Sequence, residues 1–274
     1  MFEAYLSGVR KQKPHIHCIT NYVSANDCAN ILLACGASPI MADCPEESEE
    51  ITALCDGLLL NTGILNPQKL SAMLKSGKTA NRLRHPVVLD PVGAGASEFR
   101  TASIRQLLNE VHVDVIRGNL SEIKALFCRS GSSHGVDAVV SDSITKENLR
   151  ERLALIKQAA HEQDCVIVAT GRIDIVANNN YQCFCLHNGC PMMRSVTGAG
   201  CQLSALTAAF ITANPQNVFE AAAAASCAMG VCGEIAFENL LPAEGNATYR
   251  NRIIDAVCQL DENKFVERAK IERK

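Results

Sequence analysis

Residues 195–210 contain the side chains best suited to chemistry in this sequence. Two glycines, Gly198 and Gly200, lie in a polar turn, and an apolar, alanine-rich segment without a helix breaker follows. The pattern predicts a loop that enters a buried helix. The first N–H groups of such a helix lack internal partners, so Gly198, Ala199 and Gly200 are predicted to form a hole for an anion. Cys201 lies on the first predicted turn, where a thiol can act as a base or a nucleophile.

The same stretch also has a purely structural interpretation. The glycines would then form a turn before a core helix, and Cys201 would be a small buried hydrophobic side chain. Polar turns elsewhere in the sequence favour the chemical interpretation, because they recur at the ends of the predicted strands. Ligands of open α/β sheets bind beyond the carboxyl ends of the strands, so these turns are predicted to share one rim. Each of these polar turns alone has the residue types of an ordinary structural turn. They are residues 20–21, 61–63, 90–91, 117–119, 170–171 and 197–198.

Three charged side chains in or directly after these turns suit phosphoryl transfer. Arg117 precedes a turn and can clamp a phosphate with its guanidinium group. Asp90 and Glu122 offer carboxylates for Mg²⁺, directly or through water. Glu122 also fits a capping box with Asn119, and Asp90 can simply cap the turn before Pro91. Two acids, an arginine and a glycine anion hole together describe phosphoryl transfer.

The composition argues against several other kinds of protein. The 274 residues are 47% apolar and 20% charged, which allows a sizeable core. A net charge of −3, no Trp and four Tyr argue against nucleic-acid binding. We identify no signal peptide and no apolar run long enough for a membrane span, so the 14 cysteines are interpreted as reduced thiols of a cytoplasmic protein. Cys183, Cys185 and Cys190 have poor spacing for zinc, and the alternation around the first two favours a strand.

Short β-branched runs alternate with longer helical patterns. This predicts one α/β domain over residues 1–274, with a mostly parallel central sheet, helices on both faces and no separate lid domain. Residues 129–143 are the most loop-like segment and are predicted to be mobile, and the charged tail after residue 260 is predicted to be frayed. Strands are predicted at residues 15–19, 38–41, 57–60, 86–89, 114–116 and 165–169, with a hairpin at 173–177 and 182–186. Helices near the site are predicted at 104–111, 121–127, 201–212 and 218–237.

Taken together, the motifs resemble those of the hydroxyethylthiazole kinase family of the ribokinase-like superfamily. The similarity runs in order over about residues 15–210, and the helical remainder is compatible with it. Ile64 stands where the family usually has Thr, which removes a hydroxyl group. Arg172 stands where an acidic residue is common, which would alter local phosphate affinity. The similar segments are residues 17–24, 36–42, 61–65, 88–96, 116–123, 135–137, 170–174 and 196–201.

The resemblance implies phosphorylation of the primary hydroxyl of 4-methyl-5-(2-hydroxyethyl)thiazole by ATP and Mg²⁺, which gives the thiazole phosphate used in thiamine biosynthesis. It implies that Cys201 is the catalytic base, at the position where most ribokinase-like enzymes have Asp. It also implies that Met41, Gly198, Asn21 and Val23 contact the thiazole.

The resemblance further implies that Arg117 and Thr170 contact the ATP phosphates, and that Asp90 and Glu122 hold or orient Mg²⁺. The family is trimeric, which implies a homotrimer with the substrate pocket between neighbouring subunits.

Other functions are compatible with parts of the pattern. Cys201 would be a covalent nucleophile if His15, His17 or His187 served as its base. A non-catalytic nucleotide-binding protein would bind ATP without releasing ADP. A related kinase acting on hydroxymethylpyrimidine is the nearest alternative in substrate.

Overall fold

The structure is a computed structural model that describes residues 2–128 and 148–274. The loop predicted at 129–143 and the motif at 135–137 lie outside the described residues. The described helices are α1 Glu3–Gln12, α2 Ala25–Cys35, α3 Ser48–Leu54, α4 Pro67–Leu83, α5 Glu98–Glu110, α6 Leu120–Phe127, α7 Leu149–Glu162, α8 Ala199–Ala213, α9 Val218–Glu238, α10 Asn246–Gln259 and α11 Glu262–Arg268. The described strands are β1 His15–Ile19, β2 Ser38–Met41, β3 Gly57–Asn61, β4 Val87–Asp90, β5 Val115–Asn119, β6 Val166–Thr170, β7 Asp174–Ala177, β8 Cys183–Leu186 and β9 Ile271–Arg273.

The strands of the described residues form one sheet in the order β2-β1-β3-β4-β5-β6-β7-β8-β9. Each neighbouring pair from β2 to β6 is parallel, and the last three pairs are antiparallel. The predicted mostly parallel sheet is therefore confirmed. Cys183 and Cys185 lie in β8, so the strand interpretation of their alternation is confirmed as well.

Helices cover both faces of this sheet, as predicted. Alternate strand residues point to opposite sides, and both sets are apolar and need to be buried. On one face, Leu59 and Val88 pack in a core that includes Phe210 of α8. On the other face, Leu58 and Leu89 pack in a second core formed with α4 to α7. Strands that are apolar on both faces are typical of parallel sheets covered by helices.

Helix α9 has the length and apolar composition that a membrane span would require. In this fold 78% of its most apolar 18-residue window is buried inside the protein. Its alanines, among them Ala222 and Ala223, lie in the first core. Burial in the core explains the composition of α9 without a membrane.

The prediction of a frayed tail is wrong. Phe265 of α11 is 1% exposed and packs in the first core, so it fixes the helix against the domain. The chain then forms β9, in which Ile271 pairs with Leu186 of β8. The tail is rich in charged residues, so its sequence pattern does not indicate that Phe265 and Ile271 hold it in place. Helix α5 also begins earlier than predicted, because the Ser97 side chain accepts a hydrogen bond from the Arg100 N–H and caps it.

The parallel strands end at a common edge, and this edge positions the candidate site. Asn61 at the end of β3 pairs in register with Asp90 at the end of β4. Asn119 at the end of β5 pairs with Thr170 at the end of β6. Side chains that are far apart in sequence therefore meet along one rim.

Candidate active site

Helix α8 starts at the rim, and its two glycines allow close packing on opposite sides. Gly198 caps the helix with a φ of 81°, a conformation that favours glycine. A Cβ atom on Gly198 would lie 2.8 Å from the Cβ of Ser24, on the β1 side. A Cβ atom on Gly200 would lie 2.6 Å from Nη1 of Arg117, on the β5 side. The start of α8 thus packs against Ser24 on one side and against Arg117 on the other.

Cys201 is the third residue of α8 and is half-buried. Two side-chain amides donate to its sulfur: Nδ2 of Asn21 at 3.3 Å and Nδ2 of Asn61 at 3.2 Å. These two donors fix the sulfur at the start of α8, where the helix carries a partial positive charge. The surroundings suit a group that accepts a proton or attacks an electrophile, and the prediction that Cys201 lies at a helix start is confirmed.

Asn61 and Ser204 belong to the same network, although neither was predicted as a site residue. Asn61 Nδ2 and Ser204 Oγ each donate to Oδ2 of Asp90 at 2.8 Å. Oδ1 of Asn61 accepts from Nδ2 of Asn21 at 3.0 Å. The sequence carried a signal for both residues: Asn61 ends the strand beside Asp90, and Ser204 lies one helical turn after Cys201.

Asp90 is fully buried at the centre of the network. Burial raises the pKa of Asp90 to about 6, although Arg117 and the hydrogen bonds from Ser204 and Asn61 lower it. Its Oδ1 lies 3.7 Å from Nη1 of Arg117 and, in the described structure, accepts no hydrogen bond. The Asp90 side chain therefore does not cap the turn before Pro91.

Arg117 and Thr170 meet on the other side of the helix start. Nη2 of Arg117 donates to Oγ1 of Thr170 at 2.9 Å, and this hydroxyl donates to the carbonyl of Gly118 at 3.3 Å. The guanidinium group is thereby fixed beside Gly200, with its side chain 10% exposed. A fixed guanidinium next to a helix start is a favourable place for a phosphate, although the N–H of Ala199 there already donates to the carbonyl of Val196 at 3.4 Å.

A cavity of about 710 Å³ opens beside this pair. Its polar lining includes Arg117, Thr170 and Gly200, together with the exposed Arg172 and Arg194. Its lining also includes apolar side chains. The volume, the arginines and the apolar surface suit a ligand with an anionic tail and an apolar ring. The apolar lining includes Leu203, Met193 and Met229.

Glu122 braces the neighbouring loop. Its Oε1 accepts from the N–H of Gly93 at 2.9 Å, and its Oε2 accepts from the N–H of Asn119 at 2.8 Å. The Asn119 side chain accepts in return from the N–H of Glu122, so the capping box is present. Glu122 has a structural role in addition to any role towards a metal.

A magnesium ion fits this rim on the chemistry of its donors. Oδ1 of Asp90 is a buried carboxylate oxygen that retains its acceptor capacity. Among the described residues no cluster of three or more His, Cys, Asp or Glu side chains could hold a metal. Mg²⁺ usually takes only one or two carboxylates and completes its shell with substrate phosphates and water.

Met41 and Val23 lie at the outer end of the rim, towards the edge strand. Met41 ends β2 and is 39% exposed. Val23 is 62% exposed, and its N–H donates to Oδ1 of Asn21 at 3.1 Å. Asn21 thus connects the exposed Val23 to Cys201, whereas Met41 faces outwards from the neighbouring strand.

The three histidines considered as a base for Cys201 have other partners. His17 bonds Thr52 Oγ1 and the carbonyl of Ala42, both at 2.9 Å. His15 lies beside Asp56, at the amino end of β1. His187 lies beside Glu272. A thiol–imidazole pair is therefore not formed by these residues.

The parallel strands, the helices on both faces and the glycine-capped helix start give this chain a ribokinase-like α/β fold. A ribokinase-like superfamily protein from Enterococcus faecalis V583 has the same fold, with a TM-score of 0.61 at 14% identity over 95% of this chain and 89% of that one. The chain belongs to the hydroxyethylthiazole kinase family, whose model matches residues 6–263.

Relatives with this name align over nearly their whole length. The hydroxyethylthiazole kinase of Clostridium acetobutylicum is 50% identical over 272 residues, 99% of both chains. That of Ruminiclostridium cellulolyticum is 43% identical over 97% of this chain and 95% of the relative. The solved structure of the hydroxyethylthiazole kinase protein from Pyrococcus horikoshii OT3 superimposes with a TM-score of 0.88 at 34% identity, covering 100% of this chain and 98% of that one.

Proposed function

We propose that this protein transfers the γ-phosphate of ATP to the primary hydroxyl of 4-methyl-5-(2-hydroxyethyl)thiazole. The observation that carries the proposal is the start of α8, where Cys201 bonds Asn21 on one side and Gly200 lines the cavity beside Arg117 on the other. Membership of the hydroxyethylthiazole kinase family supports the same conclusion. The product would be the thiazole phosphate for thiamine biosynthesis or salvage, formed in the cytoplasm.

ATP would occupy the cavity of about 710 Å³. Its phosphates would lie against Arg117 and Thr170, whose side chains are already fixed by their mutual hydrogen bond. Its adenine ring would lie among apolar side chains such as Met193 and Met229. The γ-phosphate would then reach the first N–H groups of α8.

The acceptor alcohol would enter from the β1 side of the helix start. Its ring would contact Met41 and Val23, and the adaptable thioether of Met41 suits a sulfur-containing ring. Asn21 and Gly198 would line the inner part of this pocket. In a single chain Met41 and Val23 are exposed, which supports a homotrimer in which a neighbouring subunit closes the pocket.

In the reaction, the alcohol oxygen forms a bond to the γ-phosphorus while the bond from that phosphorus to the bridging oxygen of ADP breaks. Cys201 accepts the hydroxyl proton on its sulfur, which Asn21 and Asn61 hold in place. The backbone N–H groups of Gly198, Ala199 and Gly200 would stabilise the charge on the transferred oxygens, and that of Ala199 would have to exchange its 3.4 Å bond to the carbonyl of Val196 for the phosphate. A loose transition state requires little early deprotonation of the alcohol, so a modest base suffices.

Mg²⁺ would be held by Asp90, and by Glu122 through water because both Glu122 oxygens already accept backbone hydrogen bonds. When bound, it would neutralise phosphate charge. Asp90 also positions Asn61 and Ser204, so its carboxylate would serve the site even before the metal binds.

An assay of ADP formation tests the proposed function. With ATP and Mg²⁺ present, the thiazole alcohol is expected to give ADP and an equal amount of phosphorylated thiazole, and hydroxymethylpyrimidine is expected to give far less. Faster turnover of hydroxymethylpyrimidine than of the thiazole alcohol would show that the pyrimidine is the substrate. ATP binding without ADP release from either alcohol would contradict the kinase assignment.

A further inference from the structure

Lys69 is a buried lysine near the candidate alcohol pocket. It lies in the first turn of α4, and its side chain is 1% exposed. Burying an ammonium group is costly unless partners compensate it, and a buried ion pair adds little stability compared with apolar packing. A role in positioning its partners explains the location of this charge.

The Lys69 ammonium contacts both turns that carry the candidate alcohol-binding residues. Nζ donates to the carbonyl of Thr20 at 2.9 Å, directly before Asn21 in the chain. The same Nζ lies 3.4 Å from Oδ2 of Asp43, two residues after Met41. One side chain thus joins the turn after β1 to the segment after β2.

Tyr22 closes this arrangement from the solvent side. Its ring centroid lies 4.3 Å from Nζ of Lys69, within the range of a cation–π contact. Its hydroxyl donates to Oδ2 of Asp43 at 3.0 Å. Tyr22 is 66% exposed, yet its ring contacts Lys69 and its hydroxyl bonds Asp43. Lys69, Asp43 and Tyr22 form what we call the β1–β2 clamp.

We propose that Lys69 is a positioning residue that holds Asn21, Val23 and Met41 at the separation the acceptor alcohol requires. The inference rests on the proposed function, because it concerns the same pocket. His17 further fixes the β2 side of this pocket, since its ring bonds the carbonyl of Ala42, the residue after Met41.

The clamp lies on the alcohol side of the helix start only. Its contacts involve the turns after β1 and β2, whereas Arg117 and Thr170 lie on β5 and β6. Loss of the clamp should therefore weaken binding of the alcohol and leave ATP binding nearly intact. A residue with a purely structural role would not separate the two substrates in this way.

Steady-state kinetics of Lys69→Met test the proposal, because methionine fills similar space without the charge. We expect the KM for the thiazole alcohol to rise about tenfold, as misplacing a substrate-binding group by a fraction of an ångström can do. The KM for ATP should change by less than about twofold, and kcat should fall less than the alcohol KM rises. Lys78→Met is the matched control on the same helix, because Lys78 forms an exposed pair with Glu110 and should leave both KM values unchanged.

Tyr22→Phe provides a second variant that keeps the ring over the ammonium and removes only the bond to Asp43. We expect a roughly threefold rise in the alcohol KM, consistent with one lost hydrogen bond. If Lys69→Met does not fold by circular dichroism, Tyr22→Phe decides the question. An alcohol KM equal to wild type in the folded variant, or an equal rise in the ATP KM, would overturn the positioning role. Absence of thiazole phosphorylation by the wild-type protein would instead contradict the proposed function.

Discussion

The sulfur of Cys201 is held in place by two asparagine amides rather than by a histidine. A thiol paired with imidazole is a common arrangement for covalent catalysis, and amide donors do not remove a proton. They fix the position of the sulfur at the start of α8. Because His15, His17 and His187 all have other partners, the contacts of this sulfur give no support to a covalent nucleophile, and the base is the role that we propose.

Gly200→Ala tests whether the close approach of Arg117 to α8 matters for ATP. The new methyl group would lie 2.6 Å from Nη1, so the guanidinium group must move away from the helix start. We expect the KM for ATP to rise about tenfold, the size of one displaced charge-assisted contact. Gly245→Ala is the control, because nothing lies within 4 Å of its Cβ position. Equal ATP KM values for both variants would contradict this account of Gly200.

Ser204→Ala tests the network beneath Cys201. The variant removes one of the two hydrogen bonds to Oδ2 of the buried Asp90. We expect the free energy of unfolding to fall by about 1–3 kcal/mol, because a buried charged acceptor loses a donor. Chemical denaturation measures the change. Ser7→Ala serves as the control, since the Ser7 hydroxyl bonds a carbonyl within α1. A loss no larger than that of Ser7→Ala would mean that this hydrogen bond contributes little.

At the scale of elements, the sequence predicted the sheet and the convergence of its strand ends. Apolar runs identify the strands, and the polar residues that follow them can be assigned to one rim from the sequence alone. Asp90, Arg117, Thr170 and Cys201 do meet there, through contacts that include Asn61.

Other features of these elements could not be predicted from local patterns. The hydrogen bonds of Asn61 and Ser204 depend on how α8 sits against β3 and β4, which is a long-range contact. The sequence of the tail predicts a frayed end because only a few apolar residues, such as Phe265, anchor it. The open position of Met41 depends on the edge location of β2 in the sheet order.

Strand β1 also carries a pH-dependent contribution to stability through His17. Burial lowers the pKa of His17, so the folded protein keeps the ring neutral, while the unfolded chain takes up a proton near pH 6.5. Proton uptake by the unfolded state lowers stability as the pH falls below about 6.5. The free energy of unfolding of wild type should therefore drop more steeply from pH 7 to 5 than that of His17→Gln. Denaturant titrations at both pH values measure this, and equal slopes would contradict it.

At the scale of the whole molecule, the exposed apolar side chains near β2 support assembly into a trimer. Tyr22, Val23 and Met41 are all exposed at the mouth of the candidate alcohol pocket, as is Ile64 after β3. Such side chains gain from burial against another subunit, and the pocket would gain a wall.

Light scattering tests the trimer directly. We expect a particle of three times the 29.5 kDa chain mass. Met41→Glu should shift the particle towards the monomer and lower activity, because it buries a charge at the proposed interface. Leu83→Glu is the control, since Leu83 is 42% exposed, close to the 39% of Met41. Leu83 ends α4 near the amino ends of the strands, whereas Met41 lies at a carboxyl end. A monomeric wild type with full activity would exclude an intersubunit pocket.

Kinase activity of Cys201→Asp compared with Cys201→Ala tests the central claim most directly. A carboxylate can accept the alcohol proton and the two amide hydrogen bonds, so Cys201→Asp should keep forming thiazole phosphate and ADP. Cys201→Ala should lose roughly 100-fold or more in kcat, the usual contribution of a general base. If Cys201→Asp binds ATP and has the wild-type melting temperature but is as inactive as Cys201→Ala, Cys201 is not the base, and a covalent nucleophile would explain the loss.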